Sequence, residues 1–480
     1  MAQRRSAPFR DLESPRKEKG HRPSDREGKL RRCKSKTLLI ALGWLLALGV
    51  VVLMLHNESG GTTQHRLVER YSVVIDAGST GSRIHVYTFS VGGKPGEVVL
   101  SDELFEHLKP GLSSYAGNPS AAANSLRSLL DKAVAHIPLE ARATTRLFLG
   151  ATAGLRLLQG SQSSDILAAV IVVLQSYPFV VDGVEVMDGS TEAQFAFVAL
   201  NYLLGVLDST PASIVDLGGG SVQVAHALDA HYDEHHPLAT KYVADVDVPG
   251  SKLSLYTHSY LGFGLNAARA KMLRAGGAPA CVPFGYMGAM DYEGAKLAVS
   301  SAAQAGAASF EKCAAAIAAT LSLSAPCGAP AAQCSFDGAW RGGAGRVGGN
   351  VHLMSYLVER IEQANAAIFL EGDAAAAPGT EKGIASLQML ESAGRDICSL
   401  SFAELGAAKR YAHAFVGAGG SDGADAPFFC ADLAFIHVLL ARGLGIGERE
   451  ALTLVKKLSY AGKPVEATWS LGAAIRSLAA

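Results

Sequence analysis

Two glycine-rich loops carry most of the chemistry legible in this chain. Asp76-Ala77-Gly78-Ser79-Thr80-Gly81-Ser82-Arg83 follows the β-branched run Val73-Val74-Ile75, and Asp216-Leu217-Gly218-Gly219-Gly220-Ser221 follows Ile214-Val215. Each predicts a strand that runs into a tight turn. Glycine lets backbone N–H groups approach phosphate oxygens closely, and the hydroxyls add donors. An aspartate at the strand end can hold a hydrated divalent cation that offsets phosphate charge. A phosphate clamp encoded twice points to a nucleotide phosphohydrolase.

Such a reaction needs a group that orients and deprotonates water, and one candidate lies between the loops. Asp188-Gly189-Ser190-Thr191-Glu192-Ala193-Gln194-Phe195 opens a helical pattern with Phe195, Val198, Ala199, Tyr202 and Leu203 on one face and Gly205 as its stop. Glu192 therefore sits at a helix start. Two readings compete there. Thr191 with Gln194 forms a capping box, and the helix dipole favours an acidic residue in the first turn. Alternatively, a carboxylate with a reference pKa of about 4.3 is already ionised near neutrality and can accept a proton from water.

The elements that must position these residues alternate. Strand-like runs at Tyr71–Ile75, Ile84–Phe89, Arg146–Leu149 and Val180–Met187 are interleaved with helical patterns at Ala121–Ile137 and Ser164–Gln175. This predicts an α/β lobe over residues 71–210. A second lobe, residues 211–442, carries the second loop and six cysteines. Helical patterns at Phe428–Leu440 and Glu448–Leu458 follow, and residues 443–480 are expected to return to the first lobe.

The front of the chain has a different character. Thr37 to Leu55 is uncharged and apolar; at ~1.5 Å per residue it reaches about 28 Å, close to a bilayer core. Residues 1–36 hold thirteen Lys/Arg against five Asp/Glu, which predicts a cytoplasmic tail, a type II signal anchor at 37–55 and a stalk at 56–70. The remainder carries 30 basic and 39 acidic residues, which disfavours a nucleic-acid surface. Cys33 falls on the cytoplasmic side. Cys281, Cys313, Cys327, Cys334, Cys398 and Cys430 fall in the oxidising compartment and predict three disulfides, with fifteen pairings open. Asn57-Glu58-Ser59 is a glycosylation sequon close to the membrane.

Five ordered segments then carry a resemblance: Ile75–Arg83, Leu149–Leu158 (LGATAGLRLL), Asp188–Gly205, Ile214–Val224 (IVDLGGGSVQV) and Glu466–Ile475 (EATWSLGAAI). They match the conserved regions of the apyrase family, the nucleoside tri- and diphosphatases. The chain looks most like the plant apyrases, through His258–Gly264, Cys334–Trp340 and Cys430–Leu433. The resemblance implies an actin-like, ribonuclease H-like two-lobed fold with nucleotide in the interlobe cleft. It implies that Asp76 and Asp216 hold the waters around Ca²⁺ or Mg²⁺. By the same matching, Gly78, Ser79, Thr80, Gly81, Ser82 and Arg83 with Gly218, Gly219, Gly220 and Ser221 bind the terminal phosphates, and Thr152 adds a hydroxyl. Glu192 is then the base, with Ser221 and Gln223 positioning the water. It also implies that the cysteines pair in sequence, Cys281 with Cys313, Cys327 with Cys334 and Cys398 with Cys430. A Golgi enzyme that clears UDP or GDP after sugar transfer fits the anchor, although the endoplasmic reticulum and plasma membrane fit it as well.

Plainer readings stand beside these roles. Thr152 can be a helix cap, Gln223 an outward strand residue and Asp216 a turn former, while Trp469 and Tyr202 read as core. Ala193, Phe197, Thr468 and Ser470 depart from the family pattern, and aliphatic residues near Ser355–Val358 replace aromatics expected at the nucleobase. Exopolyphosphatases share the paired loops but lack the anchor, the cysteines and the second and fifth segments. A Golgi glycosyltransferase is suggested only by topology and Asp245-Val246-Asp247. A non-catalytic nucleotide binder would be expected to lose the base, the aspartates or the serine, and none is lost.

Overall fold

The computed structural model describes residues 43–51, 67–78, 81–92, 97–207, 209–228, 235–248, 251–292, 294–301, 303–304, 306–342, 347, 350–370, 382–411 and 425–479. Contacts divide the chain into residues 1–65 and residues 66–480. In the first unit, residues 43–51 are helical with exposed apolar side chains such as Trp44 and Leu46. The rest of the expected anchor and the basic tail lie outside the described residues. Among the described residues, the one helix long and apolar enough to cross a membrane is Ala426–Gly443, near the other end of the chain, and it is mostly buried in the protein core. The structure therefore gives no support to the expected anchor at 37–55.

The second unit is built on two sheets. In the first, β1 (Val68–Ala77), β2 (Ser82–Val91), β3 (Val98–Leu108), β4 (Arg146–Ala151) and β5 (Val180–Val186) lie in the order β3-β2-β1-β4-β5. In the second, β6 (Ser213–Leu217), β7 (Ser221–Ala227), β8 (Val243–Val248) and β9 (Ser251–Leu261) join strands that come later in the chain. The antiparallel hairpin β10 (Met287–Tyr292) with β11 (Ala295–Ser300) stands apart. β12 (Val351–Ser355), β13 (Ile368–Leu370), β14 (Lys382–Ala385) and β15 (Leu452–Leu454) complete the order β13-β14-β15-β12-β6-β7-β9-β8.

The two sheets share one device. β1 pairs antiparallel with β2 and parallel with β4; β6 pairs antiparallel with β7 and parallel with β12. Each glycine loop is thus the turn of a hairpin beside a parallel crossover. Helices α1 (Pro119–Ser125), α2 (Arg127–His136) and α3 (Gln162–Leu174) bury Ala122, Leu130, Ile166 and Val170 against the first sheet. The helix expected over Ala121–Ile137 is thus broken at Leu126. In the second lobe α5 (Leu265–Arg274), α6 (Tyr356–Gln363), α7 (Leu387–Ser399) and α8 (Phe429–Val438) surround a core of Leu433, Phe435 and Ile436.

Between them runs α4 (Gly189–Leu204), capped by Asp188 and closed by Gly205 at φ 68°. The sequence predicts one apolar face, but the helix is buried nearly all round, because α9 (Trp469–Ala479) packs on it as well. The crossing is tight: a Cβ at Gly472 would lie 2.0 Å from the Phe195 carbonyl oxygen. Asn201 ties the same helix to the strand that follows, donating to the Ala212 carbonyl and accepting from its N–H.

Val98–Leu108, for which the sequence gives no expectation, is the edge strand β3, its charged residues tolerated because an edge leaves one side to solvent. One expectation fails. The helix expected over Glu448–Leu458 is replaced by β15 and by Lys457–Tyr460, which pairs with Lys463–Glu466. There Leu452-Thr453-Leu454 supplies the alternation that β12 needs as a partner, and pairing overrides local helix preference. The three disulfides, Cys281–Cys313, Cys327–Cys334 and Cys398–Cys430, follow the pairing that the resemblance implies. Asp245 and Asp247 lie on the edge strand β8, with Asp245 bound to Ser254 and Lys252, so the glycosyltransferase-like triplet reads as a strand edge.

Gly472→Ala should lower stability by about 2 kcal/mol or more, because two helix backbones must part to admit one methyl. Calorimetry reads this as a fall of several degrees in the unfolding midpoint; an unchanged midpoint would show that the helices separate freely.

Candidate active site

The second glycine loop is held from behind. Leu265 N–H donates to the Gly218 carbonyl (2.9 Å) and Asn266 N–H to that of Gly219 (3.0 Å), so the start of α5 takes up the loop's carbonyls. Gly264 makes this approach possible, since a Cβ there would lie 2.4 Å from Gly219 and Gly220 backbone atoms. Gly218 N–H closes the hairpin on the Ser221 carbonyl (3.0 Å), whereas among the described residues no backbone carbonyl accepts from Gly219 or Gly220 N–H. That polarity suits a bound anion.

Strand register sets the neighbouring side chains. Asp216 lies opposite Gln223 and Asp76 opposite Arg83, and cross-strand partners share a face. Arg83 Nη1 donates to Asp76 Oδ2 (3.1 Å), while Asp76 Oδ1 is buried and unpartnered. Asp216 Oδ1 is buried and unpartnered too. Burial raises the Asp216 pKa, and the negative charges of Asp76 and Glu466 push the same way. Two buried carboxylate oxygens with no donor are what a hydrated cation would complete. The residues present fit such an ion.

Glu192 stands in the first turn of α4, but it is not the cap. Asp188 accepts from Ser190 and Thr191 N–H (both 3.1 Å), so the capping box expected from Thr191 and Gln194 is replaced by an aspartate cap. The carboxylate of Glu192 is left to meet other groups: Arg156 Nη2 at 2.5 Å and Gln223 Nε2 at 3.1 Å, both on Oε2. Gln223 Nε2 also donates to Ser221 Oγ (2.6 Å) and Ser259 Oγ (3.2 Å). Burial raises the Glu192 pKa to about 7; Arg156 opposes the rise, and Asp216 and Asp76 add to it. A carboxyl poised there can take a proton from water and release it near neutral pH.

The sequence-predicted residues largely converge. Gln223 is buried and faces Glu192 rather than solvent. Thr152 begins the helical turn Ala153–Arg156 without a side-chain capping bond, and its N–H donates to the Ala77 carbonyl of the first loop (3.2 Å). Gly78 and Gly81 flank the first turn, Ser82 is fully buried at the start of β2 with an unpartnered hydroxyl, and Ser79 and Thr80 lie outside the described residues. Trp469 packs edge-on against Phe148, and Tyr202 bonds Val98, Leu100 and Tyr460, so both belong to the core.

Arg156 and Ser259 had no role in the sequence reading. Both lie inside segments with family resemblance, and a buried cation near Glu192 would have been the signal to seek, but burial is invisible before folding. Gly189 is their common neighbour: a Cβ there would lie 2.3 Å from Ser259 Oγ and 2.4 Å from Arg156 Nη1.

Comparison with known proteins bears on this geometry. The sequence profile of the GDA1/CD39 (nucleoside phosphatase) family matches residues 63–480. The chain is 35% identical to Probable apyrase 2 of Oryza sativa subsp. japonica over 476 residues, covering 95% of this chain and 97% of that protein. It is 41% identical to the Guanosine-diphosphatase of Schizosaccharomyces pombe over 215 residues, 42% of this chain and 37% of that one. The fold is similar to a crystal structure of nucleoside triphosphate hydrolases from Neospora caninum, with a TM-score of 0.56 and 13% identity, covering 91% of this chain and 96% of that one.

Arg156→Gln should move the acid limb of the kcat/KM profile to higher pH, because it removes the charge that holds the Glu192 pKa down. The base works only when ionised, so the variant loses most at pH 6 and least at pH 9. A profile that falls uniformly at all pH values would exclude this coupling.

Proposed function

We propose that this chain, which belongs to the GDA1/CD39 (nucleoside phosphatase) family, hydrolyses the terminal phosphate of nucleoside tri- and diphosphates by attack of a water that Glu192 deprotonates. The observation that carries the reading is the meeting of Glu192, Gln223 and Ser221 beside the second glycine loop. In this reading the nucleotide lies in an actin-like cleft between the two lobes. The N–H groups of Gly219 and Gly220 and the Ser221 hydroxyl hold the terminal phosphate, with Gly78, Ser79, Thr80, Gly81, Ser82, Arg83 and Thr152 on its other side. Gln223 and Ser221 orient the water in line with the scissile bond. Its proton passes to Glu192 Oε2 as the new P–O bond forms, and the shortened nucleotide leaves with the electrons of the broken P–O bond. Arg156 keeps Glu192 ionised until the water gives up its proton.

Asp76 and Asp216 would hold Ca²⁺ or Mg²⁺ through its water shell; when bound, the ion supplies charge neutralisation at the phosphate oxygens. The named activities of the rice and fission-yeast relatives support nucleotide substrates, and the latter supports a diphosphate such as GDP. The basic tail and the apolar stretch 37–55 support a type II anchor with the catalytic lobes in the lumen, in the Golgi or, as alternatives, the endoplasmic reticulum or plasma membrane. Clearing of UDP or GDP after sugar transfer is the role that this placement favours.

Glu192→Gln should keep nucleotide binding and lose roughly 100-fold or more in kcat, since an amide cannot accept the proton. Phosphate release from UDP, GDP, ATP and polyphosphate, with and without Ca²⁺, reads both the mechanism and the substrate class. Near-normal turnover by the variant would remove Glu192 from the mechanism, and release from polyphosphate alone would remove the nucleotide from the substrate. Asp76→Asn and Asp216→Asn should each raise the cation concentration needed for half-maximal rate; titration curves identical to the parent's would refute the cation assignment.

A further inference from the structure

Ser259 joins the site from a third strand. Asp216 on β6 lies opposite Gln223 on β7, and Gln223 lies opposite Ser259 on β9, so the three side chains form one row on one face of the second sheet. The first turn of α4 closes over the end of this row, so tightly that a Cβ at Gly189 would lie 2.3 Å from Ser259 Oγ. The hydroxyl is thereby held where Gln223 Nε2 reaches it, at 3.2 Å.

The amide meets more acceptors than it has hydrogens. Gln223 Nε2 carries two N–H bonds, and three oxygens lie within reach: Ser221 Oγ (2.6 Å), Glu192 Oε2 (3.1 Å) and Ser259 Oγ (3.2 Å). While Glu192 is ionised, its carboxylate is the strongest acceptor of the three. The reaction removes that advantage. Once Oε2 has taken the proton of the attacking water it is a carboxyl hydroxyl, a far poorer acceptor, and Ser221 is engaged with the phosphate and the water in the same step. Ser259 is the acceptor that proton transfer leaves unchanged.

We propose that Ser259 is a positioning residue for the hydrolytic step: its hydroxyl oxygen accepts from Gln223 Nε2 and keeps the amide from turning over while Glu192 takes the proton, so that Gln223 Oε1 goes on accepting from the attacking water. Ser259 acts through Gln223. This inference rests on the reading that Glu192 is the base and that Gln223 orients the water.

A double-mutant cycle separates this role from a structural one. Phosphate release from GDP and ATP is followed for the full-length protein in detergent as parent, Ser259→Ala, Gln223→Ala and the double variant. Ser259→Ala should lose about fivefold in kcat with little change in KM, the scale of one lost hydrogen bond between neutral groups. Added to Gln223→Ala it should cost nothing further, because the group it positions is gone. A loss of the same size in both backgrounds, as a folding defect would give, would overturn the proposal, and so would a change confined to KM. Parent-like turnover in Ser259→Ala beside a slowed Gln223→Ala would overturn it too, and leave the mechanism standing. Parent-like turnover in Gln223→Ala would remove Gln223 from the mechanism, and a parent that releases phosphate from neither nucleotide would remove the nucleotide reading; either result takes this inference with it.

Discussion

Three carboxylates gathered where water is scarce set the terms for this fold. The charges of Asp76 and Asp216 both raise the Glu192 pKa, that of Asp76 raises the Asp216 pKa as well, and the two aspartates present buried oxygens with no donor. Such a group is unstable unless positive charge or hydrogen bonds answer it. Arg83 answers one oxygen of Asp76, and Arg156 answers Glu192. The remainder is a standing demand for a cation. The surrounding architecture is the means of holding like charges together: two hairpins, each fixing an aspartate, and one helix buried on nearly all sides that delivers the glutamate between them.

A second charged group, far more fully compensated, does a different job. Arg269 meets Asp432 through two hydrogen bonds (2.8 and 2.6 Å) and Asp425 at 2.6 Å, while Arg360 reaches Asp425 at 2.7 Å. These residues join α5, α6 and α8 in the interior of the second lobe, so the helix that braces the glycine loop from behind is itself locked to the lobe's core. Here every charge has a partner. The contrast identifies the carboxylate triad as the place where compensation was left incomplete.

Sequence made much of the site legible because its chemistry is local. A glycine loop announces itself in six to eight consecutive residues, and Asp76, Asp216, Ser221 and Gln223 all belong to such runs. Glu192 was visible as a helix-start acid, although the cap proved to be Asp188, whose shorter side chain accepts from the N–H groups of Ser190 and Thr191 that follow it. What escaped was whatever depends on a distant partner. Arg156 becomes meaningful only when α4 folds against it. Leu452–Leu454 becomes a strand only because β12 offers an open edge, and Val98–Leu108 is a strand whose alternation is blurred by charges on its solvent side. The same limit hid the burial of α4, since the helix that covers its second side comes from the extreme C-terminal end of the chain.

The hairpin register has a consequence for how such a chain can change over evolutionary time. Asp216 and Gln223 face each other across the second turn just as Asp76 and Arg83 do across the first, and the spacing between partners is seven positions in both. Because side chains alternate across a strand, one residue gained or lost in either turn would send the second partner to the opposite face of its sheet. Substitutions within the turns can be absorbed gradually, but a change in their length cannot. Turn length is therefore the more rigid inheritance, and descendants that have shed catalysis should be recognisable by a lost or added turn residue as readily as by a missing glutamate.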